Sequence, residues 1–132
     1  MNNEQKTQKD SLNIGGLIIH KSDNGLYSLR DLWISNGKRK RKEAFSFTRL
    51  SSTKEIVNEL RMVQKSGLDS PISVSDILIT IKGGTNRGTY ACKELCYIYA
   101  SWLSPSFHLQ VIRAFDELLN AQTDGQVLQL KS

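Results

Sequence analysis

The sequence predicts a small single domain of the α+β class, with an N-terminal β-hairpin, a central wing-like β-hairpin and about four to five helices. Its 132 residues are enough for one domain that buries its own core. Apolar residues recur at helical spacing through the last third of the chain, and they alternate with period two over residues 77–81. Hairpins and helices that follow one another in this way are typical of α+β domains.

The folded part is expected to span residues 14–121. Residues 1–13 are polar and lack periodicity, so we expect a flexible N-terminal tail there. Residues 122–132 are expected to form a C-terminal tail or linker. The first residues lack the apolar segment of a signal peptide, and no apolar run reaches the roughly 20 residues of a membrane span. The sequence therefore predicts a cytoplasmic protein that does not insert into membranes.

The first elements are predicted to be a hairpin and a short helix. Residues 17–20 and 26–27 are largely apolar and flank Ser22-Asp23-Asn24-Gly25, a sequence that is typical of a turn. Ser28 then suits the N-cap of a helix that ends at Asn36-Gly37.

A longer helix is predicted to begin at a capping box. Ser52 and Glu55 have the required spacing, with the serine accepting from the glutamate amide and the glutamate side chain reaching back. Apolar residues follow at helical spacing over residues 56–63, and Ser66-Gly67 is expected to end this helix. The aromatic residues between positions 45 and 50 indicate a short helical turn or an extended bridge before it.

The central hairpin is predicted from an alternating strand and a glycine-rich turn. Residues 77–81 are β-branched or apolar, and Thr89-Tyr90-Ala91 can return beside them as a partner strand. The residues between them, 82–88, include three glycines and two basic residues. We expect them to form a flexible, basic tip that resembles a wing.

The last third of the chain is predicted to form two helices joined at Ser104-Pro105. Ser104 suits an N-cap and Pro105 suits the first position of the helix that follows. The first apolar stripe comprises Leu95, Ile98, Tyr99, Trp102 and Leu103, and the second comprises Phe107, Val111, Phe115, Leu118 and Leu119.

The positive charge of the chain is concentrated in one run, Lys38-Arg39-Lys40-Arg41-Lys42. The formal net charge is +5, so these five residues account for the whole excess. Residues 1–67 contain 13 basic and 7 acidic residues, whereas residues 68–132 contain 5 and 6. A basic loop of this kind is typical of a surface that faces a polyanion, with nucleic acid as the first candidate. A solvated loop without a partner is the alternative interpretation.

The patterns of a metalloprotein or an enzyme are not found in the sequence. Cys92 and Cys96 lie four residues apart, which is not the usual spacing of a structural zinc site, and we expect reduced thiols that fill space beside an apolar helix face. Asp116 and Glu117 are adjacent on a helix and therefore diverge, which argues against a nuclease. The tyrosines fit core or sheet positions, which argues against a recombinase. We expect no catalytic residues, no metal and no cofactor.

Several segments resemble KilA-N domains. Residues 23–32 resemble the opening block of these domains, and residues 47–56 resemble the next block. The closing block is the most specific, and it comprises Gly88-Thr89-Tyr90, Ala100-Ser101-Trp102-Leu103-Ser104-Pro105-Ser106-Phe107, Gln110-Val111 and Glu117-Leu118-Leu119. Family members usually carry Asn-Ala-Thr where this chain has Ser28-Leu29-Arg30, and often His-Pro where it has Cys92-Lys93.

The resemblance implies a small α+β DNA-binding domain that is common in phages and large DNA viruses and similar to fungal APSES domains. It further implies a transcriptional regulator or antirepressor in a bacterial host, with double-stranded DNA as the partner. An antirepressor can also act by binding a repressor or other regulatory protein, and the basic run could then meet an acidic protein surface. The sequence leaves this alternative open.

The candidate DNA contacts are basic residues and one amide in turns or near a helix start, because such groups supply phosphate and base contacts. They are Lys38, Arg39, Lys40, Arg41, Lys42, Arg49, Lys54, Lys82, Asn86 and Arg87. The basic run is expected to set affinity, and the helix start and hairpin tip are expected to set position.

Overall fold

The computed structural model of the chain describes residues 11–64 and 73–131. Over these residues the chain forms an α+β domain with two small antiparallel sheets, which confirms the predicted class. The helices are α1 (Leu29–Ser35), α2 (Ala44–Thr48), α3 (Ser51–Gln64), α4 (Lys93–Leu103) and α5 (Pro105–Lys131), with a 3₁₀ turn at Val74–Asp76. The strands are β1 (Leu12–Ile14), β2 (Leu17–Ile19), β3 (Tyr27–Ser28), β4 (Leu78–Ile81) and β5 (Gly88–Ala91). Within the described ranges, each helix is too short or too polar to cross a membrane.

The N-terminal hairpin begins earlier than the sequence predicts. Leu12 pairs with Ile19 and Ile14 pairs with Leu17, so that β1 and β2 run antiparallel. Leu12 and Ile14 are buried while Asn13 between them is exposed, which is the alternation of a strand, although three residues are too few to be recognised as one. Residues 11–13 therefore belong to the fold, and residues 1–10 of the expected tail lie outside the described residues.

The predicted turn at residues 22–25 is present, but the strands beside it pair elsewhere. The amide of Gly25 donates to the carbonyl of Ser22 over 3.0 Å, and an isolated bridge joins Lys21 to Tyr27. However, β2 pairs with β1, and β3 pairs with β5. The two segments therefore pair only beside the turn, where the amide of Ser28 donates to the carbonyl of His20 over 2.9 Å, and the strands β2 and β3 find their main partners elsewhere.

The central hairpin is confirmed, and β3 extends it into a three-stranded sheet of order β3-β5-β4. Ile79 lies opposite Tyr90 in the β4–β5 pair, and Ser28 lies opposite the same tyrosine in the β3–β5 pair. Because β5 is the central strand, the first turn of α1, which follows β3 directly, lies beside the start of β5. Residues 82–87, between β4 and β5, are called the hairpin tip below.

Two predicted helix caps are confirmed. The hydroxyl of Ser28 accepts a hydrogen bond from the amide of Asp31 over 3.1 Å at the start of α1. The hydroxyl of Ser104 accepts from the amide of Phe107 over 3.1 Å at the start of α5, where Pro105 occupies the first helical position. Each such cap satisfies an amide that the helix leaves unpaired and contributes about 1 kcal/mol.

The predicted start of α3 is wrong. The amide of Lys54 donates to the carbonyl of Leu50 over 3.1 Å, so the helical hydrogen bonds begin at Leu50 and Ser52 lies inside the first turn. The capping box predicted for Ser52 and Glu55 therefore does not form the boundary. The reason is that α2 ends at Thr48 and leads almost directly into α3, which leaves no extended residue at position 52.

A capping box does occur at the 3₁₀ turn. The hydroxyl of Ser73 accepts from the amide of Ser75, and the carboxylate of Asp76 accepts from the amide of Ser73, each over 3.2 Å. The expected end of α3 at Ser66-Gly67 lies outside the described residues.

The core lies between α4, α5, α1 and the sheets. Members of both predicted stripes are buried, including Leu95, Tyr99 and Phe115, and Phe47 of α2 packs its ring 5.0 Å from the ring of Tyr99. Ile98 and Trp102 are partly buried, and Leu119 is exposed, with 42% of its side chain accessible. The helix α5 continues through the residues that were expected to form a tail or linker.

Candidate nucleic-acid interface

The basic loop, residues Lys38–Lys42, begins at a well-formed helix end. The amide of Gly37 donates to the carbonyl of Ile34, and the amide of Lys38 donates to the carbonyl of Trp33, which is the hydrogen-bond pattern of a Schellman motif. Gly37 has the left-handed φ of 93° that this motif requires. The first lysine of the loop therefore has a fixed backbone position relative to α1.

Two side chains of the basic loop turn toward the end of α4. The guanidinium of Arg39 donates to the carbonyl of Leu103. The ammonium of Lys42 donates to the carbonyl of Trp102 over 3.2 Å and lies 4.0 Å from the centre of the Trp102 ring. The last carbonyls of a helix lack helical partners and carry partial negative charge. Arg39 and Lys42 thus compensate the end of α4 with their positive charges.

The backbone of the basic loop is held by two aromatic side chains as well. The indole N–H of Trp33 donates to the carbonyl of Arg39 over 2.7 Å, and the hydroxyl of Tyr99 donates to the carbonyl of Lys42 over 2.6 Å. Tyr99 is fully buried, and burial raises the pKa of its hydroxyl, with a further contribution from Glu43. The hydroxyl therefore remains a proton donor to the loop over the physiological pH range.

The other three side chains of the loop, Lys38, Lys40 and Arg41, are exposed and are called the outward cations below. Lys38 and Arg41 have positive φ angles of 55° and 65°, which are uncommon for residues other than glycine. Such angles persist where the surrounding hydrogen bonds enforce them. Of the five charged side chains, those of Arg39 and Lys42 contact the end of α4, although Arg39 is itself exposed, and the outward cations face solvent.

Arg49 and Lys54 flank the start of α3, as the sequence predicts. Arg49 forms the C-cap of α2, with its amide donating to the carbonyl of Ser46, and its side chain is exposed. Lys54 lies in the first turn of α3, and its side chain is also exposed. Phe45, four residues before Arg49 on α2, is 56% exposed. Positive and aromatic groups thus share this part of the surface.

The hairpin tip carries Lys82, Asn86 and Arg87, which are all exposed. Gly83 and Gly84 have φ angles of 81° and 80°, which allow the chain to turn without the strain that a side chain would add. The hydroxyl of Tyr90 donates to the carbonyl of Asn86 over 2.8 Å. The tip is therefore tied to β5 by a specific contact, while the Asn86 side chain remains at the surface.

A polar cleft of about 120 Å³ separates the hairpin tip from α1. Asn86 and Arg87 line it from the tip, and Arg30 and Asp31 line it from the first turn of α1. His20 completes the cleft and places its Nδ1 2.6 Å from Oδ2 of Asp31. Sequence reasoning identified Asn86 and Arg87 but missed Arg30 and His20. The pairing of β3 with β5 brings the hairpin tip beside α1, and the hydrogen bond from the Ser28 amide to the His20 carbonyl places His20 there as well.

The hairpin tip and the basic loop lie at opposite ends of α1. A Cβ atom built on Gly88, directly after the tip, would lie 3.9 Å from Cβ of Arg30 at the start of the helix. The basic loop follows the last turn of the same helix. Seven helical residues rise by about 10 Å. Two separate basic regions therefore flank α1.

Both cysteines lie in or beside α4, and their thiols are free. Across residues 11–64 and 73–131, no three histidine, cysteine or acidic side chains cluster closely enough to hold an ion. Cys96 is fully buried, and burial raises the pKa of its thiol well above the ordinary value. Cys92 is half-buried, and burial raises its pKa as well. Both are free thiols, as the sequence predicts.

Fold and surface together define a small α+β domain with a basic loop and a wing-like hairpin. The family model of the KilA-N domain matches residues 10–121, and the chain belongs to this family, whose members are generally DNA-binding domains of phage and viral regulators. No curated protein and no solved structure gave a match.

Proposed function

We propose that this domain binds duplex DNA in the cytoplasm of a bacterial host, as a phage- or prophage-type transcriptional regulator or antirepressor. The observation that carries the proposal is that the side chains of the basic loop have two different roles. Arg39 and Lys42 fix the loop to α4, and the outward cations are thereby presented in a defined arrangement. Cations on an ordered backbone lose less conformational entropy when they bind phosphates than cations on a flexible chain. Membership of the KilA-N family supports the same class of partner.

Different parts of the surface have different roles in this proposal. The outward cations neutralise phosphates and set affinity, since such contacts dominate the binding energy of DNA but carry no sequence information. Arg49 and Lys54 contact phosphates beside the start of α3. At the hairpin tip, Asn86 has its carbonyl held by Tyr90 while its side chain is exposed, which suits an amide that reads a base edge.

The proposal assigns binding and no catalytic step to this domain. A tyrosine recombinase needs an accessible hydroxyl that loses its proton readily. Here burial is the largest cause of a raised pKa at Tyr27, Tyr90, Tyr97 and Tyr99. A raised pKa opposes formation of a tyrosinate nucleophile at these residues.

The proposal is tested by selection from a pool of random duplex DNA, together with fluorescence anisotropy of a labelled duplex at low salt. Enrichment of one sequence motif supports a specific DNA-binding regulator. Binding without enrichment leaves either a non-specific DNA-binding role or the alternative that the domain acts on a repressor or another host protein. No binding to duplex DNA at low salt contradicts the proposal.

A further inference from the structure

The cleft beside the hairpin tip is lined by two arginines. Arg30 reaches it from α1 and Arg87 from the tip. Within the part of the chain that the structure describes, neither guanidinium forms an ion pair with a carboxylate. Guanidinium groups bind carboxylates and phosphates through paired hydrogen bonds, so two of them at one cleft favour an anionic ligand.

The carboxylate in the cleft is already engaged by another group. Oδ2 of Asp31 accepts from the backbone amide of His20 over 2.8 Å and lies 2.6 Å from Nδ1 of the same residue. The Asp31 side chain is 14% exposed, whereas the His20 side chain is 70% exposed. His20 thus engages one oxygen of the carboxylate that lines the cleft.

The size and lining of the cleft select among anions. Its volume of about 120 Å³ is well below the roughly 300–1,000 Å³ of sites that bury drug-sized molecules. Thr85, Asn86 and Ser28 add hydroxyl and amide groups to its wall. A single phosphate group suits this space and lining.

We propose that this cleft binds one phosphate group of the DNA backbone between the guanidinium groups of Arg30 and Arg87, with His20 acting as a positioning residue that keeps Asp31 away from them. The inference rests on the proposed DNA-binding function and extends it to residues outside the basic loop. A free phosphate ion has the same chemistry, and the experiment distinguishes the two sources.

The first test compares Arg30→Gln and Arg87→Gln with Arg113→Gln in the full chain. Arg113 is exposed on α5, so its replacement changes the net charge equally without touching the cleft. Anisotropy of a labelled duplex is measured across a salt series. Each cleft variant is expected to lose one phosphate contact. The negative slope of the logarithm of the binding constant against the logarithm of the salt concentration should then become shallower by about 0.9, with no change for Arg113→Gln.

A second test separates positioning by His20 from a merely structural role. His20→Ala is expected to weaken DNA binding several-fold, because it releases Asp31 to pair with the arginines. Adding Asp31→Asn is expected to recover the affinity, since the competing charge is gone. The control combines His20→Ala with Asp116→Asn, which removes the same negative charge at an exposed position on α5. This control is not expected to recover the affinity.

The outcomes distinguish failure of the proposed DNA-binding function from failure of the phosphate site. If the parent protein does not bind duplex DNA, both the proposed function and the phosphate site are overturned. If the parent binds but Arg30→Gln behaves like Arg113→Gln, the phosphate site alone is overturned. Inorganic phosphate is titrated in parallel by NMR of the backbone amides. A cleft that responds to inorganic phosphate while Arg30→Gln leaves DNA binding unchanged is a free-anion site, which also overturns the inference.

Discussion

The ammonium group of Lys42 lies 4.0 Å from the centre of the Trp102 ring, and it also donates a hydrogen bond to the carbonyl of Trp102 over 3.2 Å. One lysine thus stabilises both the face of an aromatic ring and the end of α4. The last residue of a run that resembles a uniform basic patch is therefore part of the packing of the domain. This contact explains why the loop before it has a defined path.

Lys42→Gln is expected to destabilise the domain by about 1–2 kcal/mol. The change removes a cation–π contact, worth about 0.5–2 kcal/mol, and the favourable charge at the end of α4. Urea unfolding followed by circular dichroism measures the difference.

The matched control is Lys40→Gln, which removes the same charge from an outward position in the same loop. We expect it to change stability by less than about 0.5 kcal/mol, as is usual for exposed substitutions. Equal losses from Lys40→Gln and Lys42→Gln would show that the contact with Trp102 contributes nothing.

The domain is expected to lose stability as the pH rises above about 10. Burial raises the pKa of Tyr99 above the ordinary tyrosine value, so the folded state keeps a proton that the unfolded state releases. Stability from this group is fully present below the pKa of the unfolded chain and is lost as the pH rises toward that of the folded state.

Urea unfolding at several alkaline pH values tests this linkage. Tyr99→Phe lacks the ionisable hydroxyl, so its stability is expected to fall less steeply with pH than that of the parent. At neutral pH the same variant is expected to be less stable by about 1 kcal/mol, because the hydrogen bond to the Lys42 carbonyl is lost. Identical pH profiles for the two proteins would contradict the account.

Ser104→Ala is expected to destabilise the domain by about 1 kcal/mol, because the Phe107 amide at the start of α5 loses its cap. Thermal unfolding measures the effect. Ser106→Ala, an exposed change in the first turn of the same helix, is the control and is expected to be nearly neutral. A loss at Ser106 as large as that at Ser104 would argue against the cap.

The sequence predicts most of the helices and the central hairpin, because their signals are local. Caps at Ser28 and Ser104 and the alternation over residues 77–81 depend on neighbouring residues alone. The capping box at Ser52 was misassigned since its spacing is compatible with a helix that begins two residues earlier. β1 was missed because three residues cannot establish a period.

The residue types of the candidate site could be predicted from the sequence, but their arrangement in space could not. The charge run at residues 38–42 is visible in the sequence, but its division depends on where the end of α4 lies. That position is set by tertiary packing of Tyr99 and Trp102 against Phe47 and by the hydrogen bond from Tyr99 to the Lys42 carbonyl, which no local pattern contains. Likewise, Arg30 becomes part of the cleft only when β3 pairs with β5.

The central claim is that the outward cations bind DNA phosphates. The most direct measurement is the salt dependence of duplex binding for Lys40→Gln/Arg41→Gln, compared with Lys93→Gln/Arg113→Gln, which removes the same charges from α4 and α5. The account predicts a slope reduced by about 1.8, about 0.9 for each lost contact, for the loop variant and no change for the control. Equal slopes for the parent and the loop variant would contradict it.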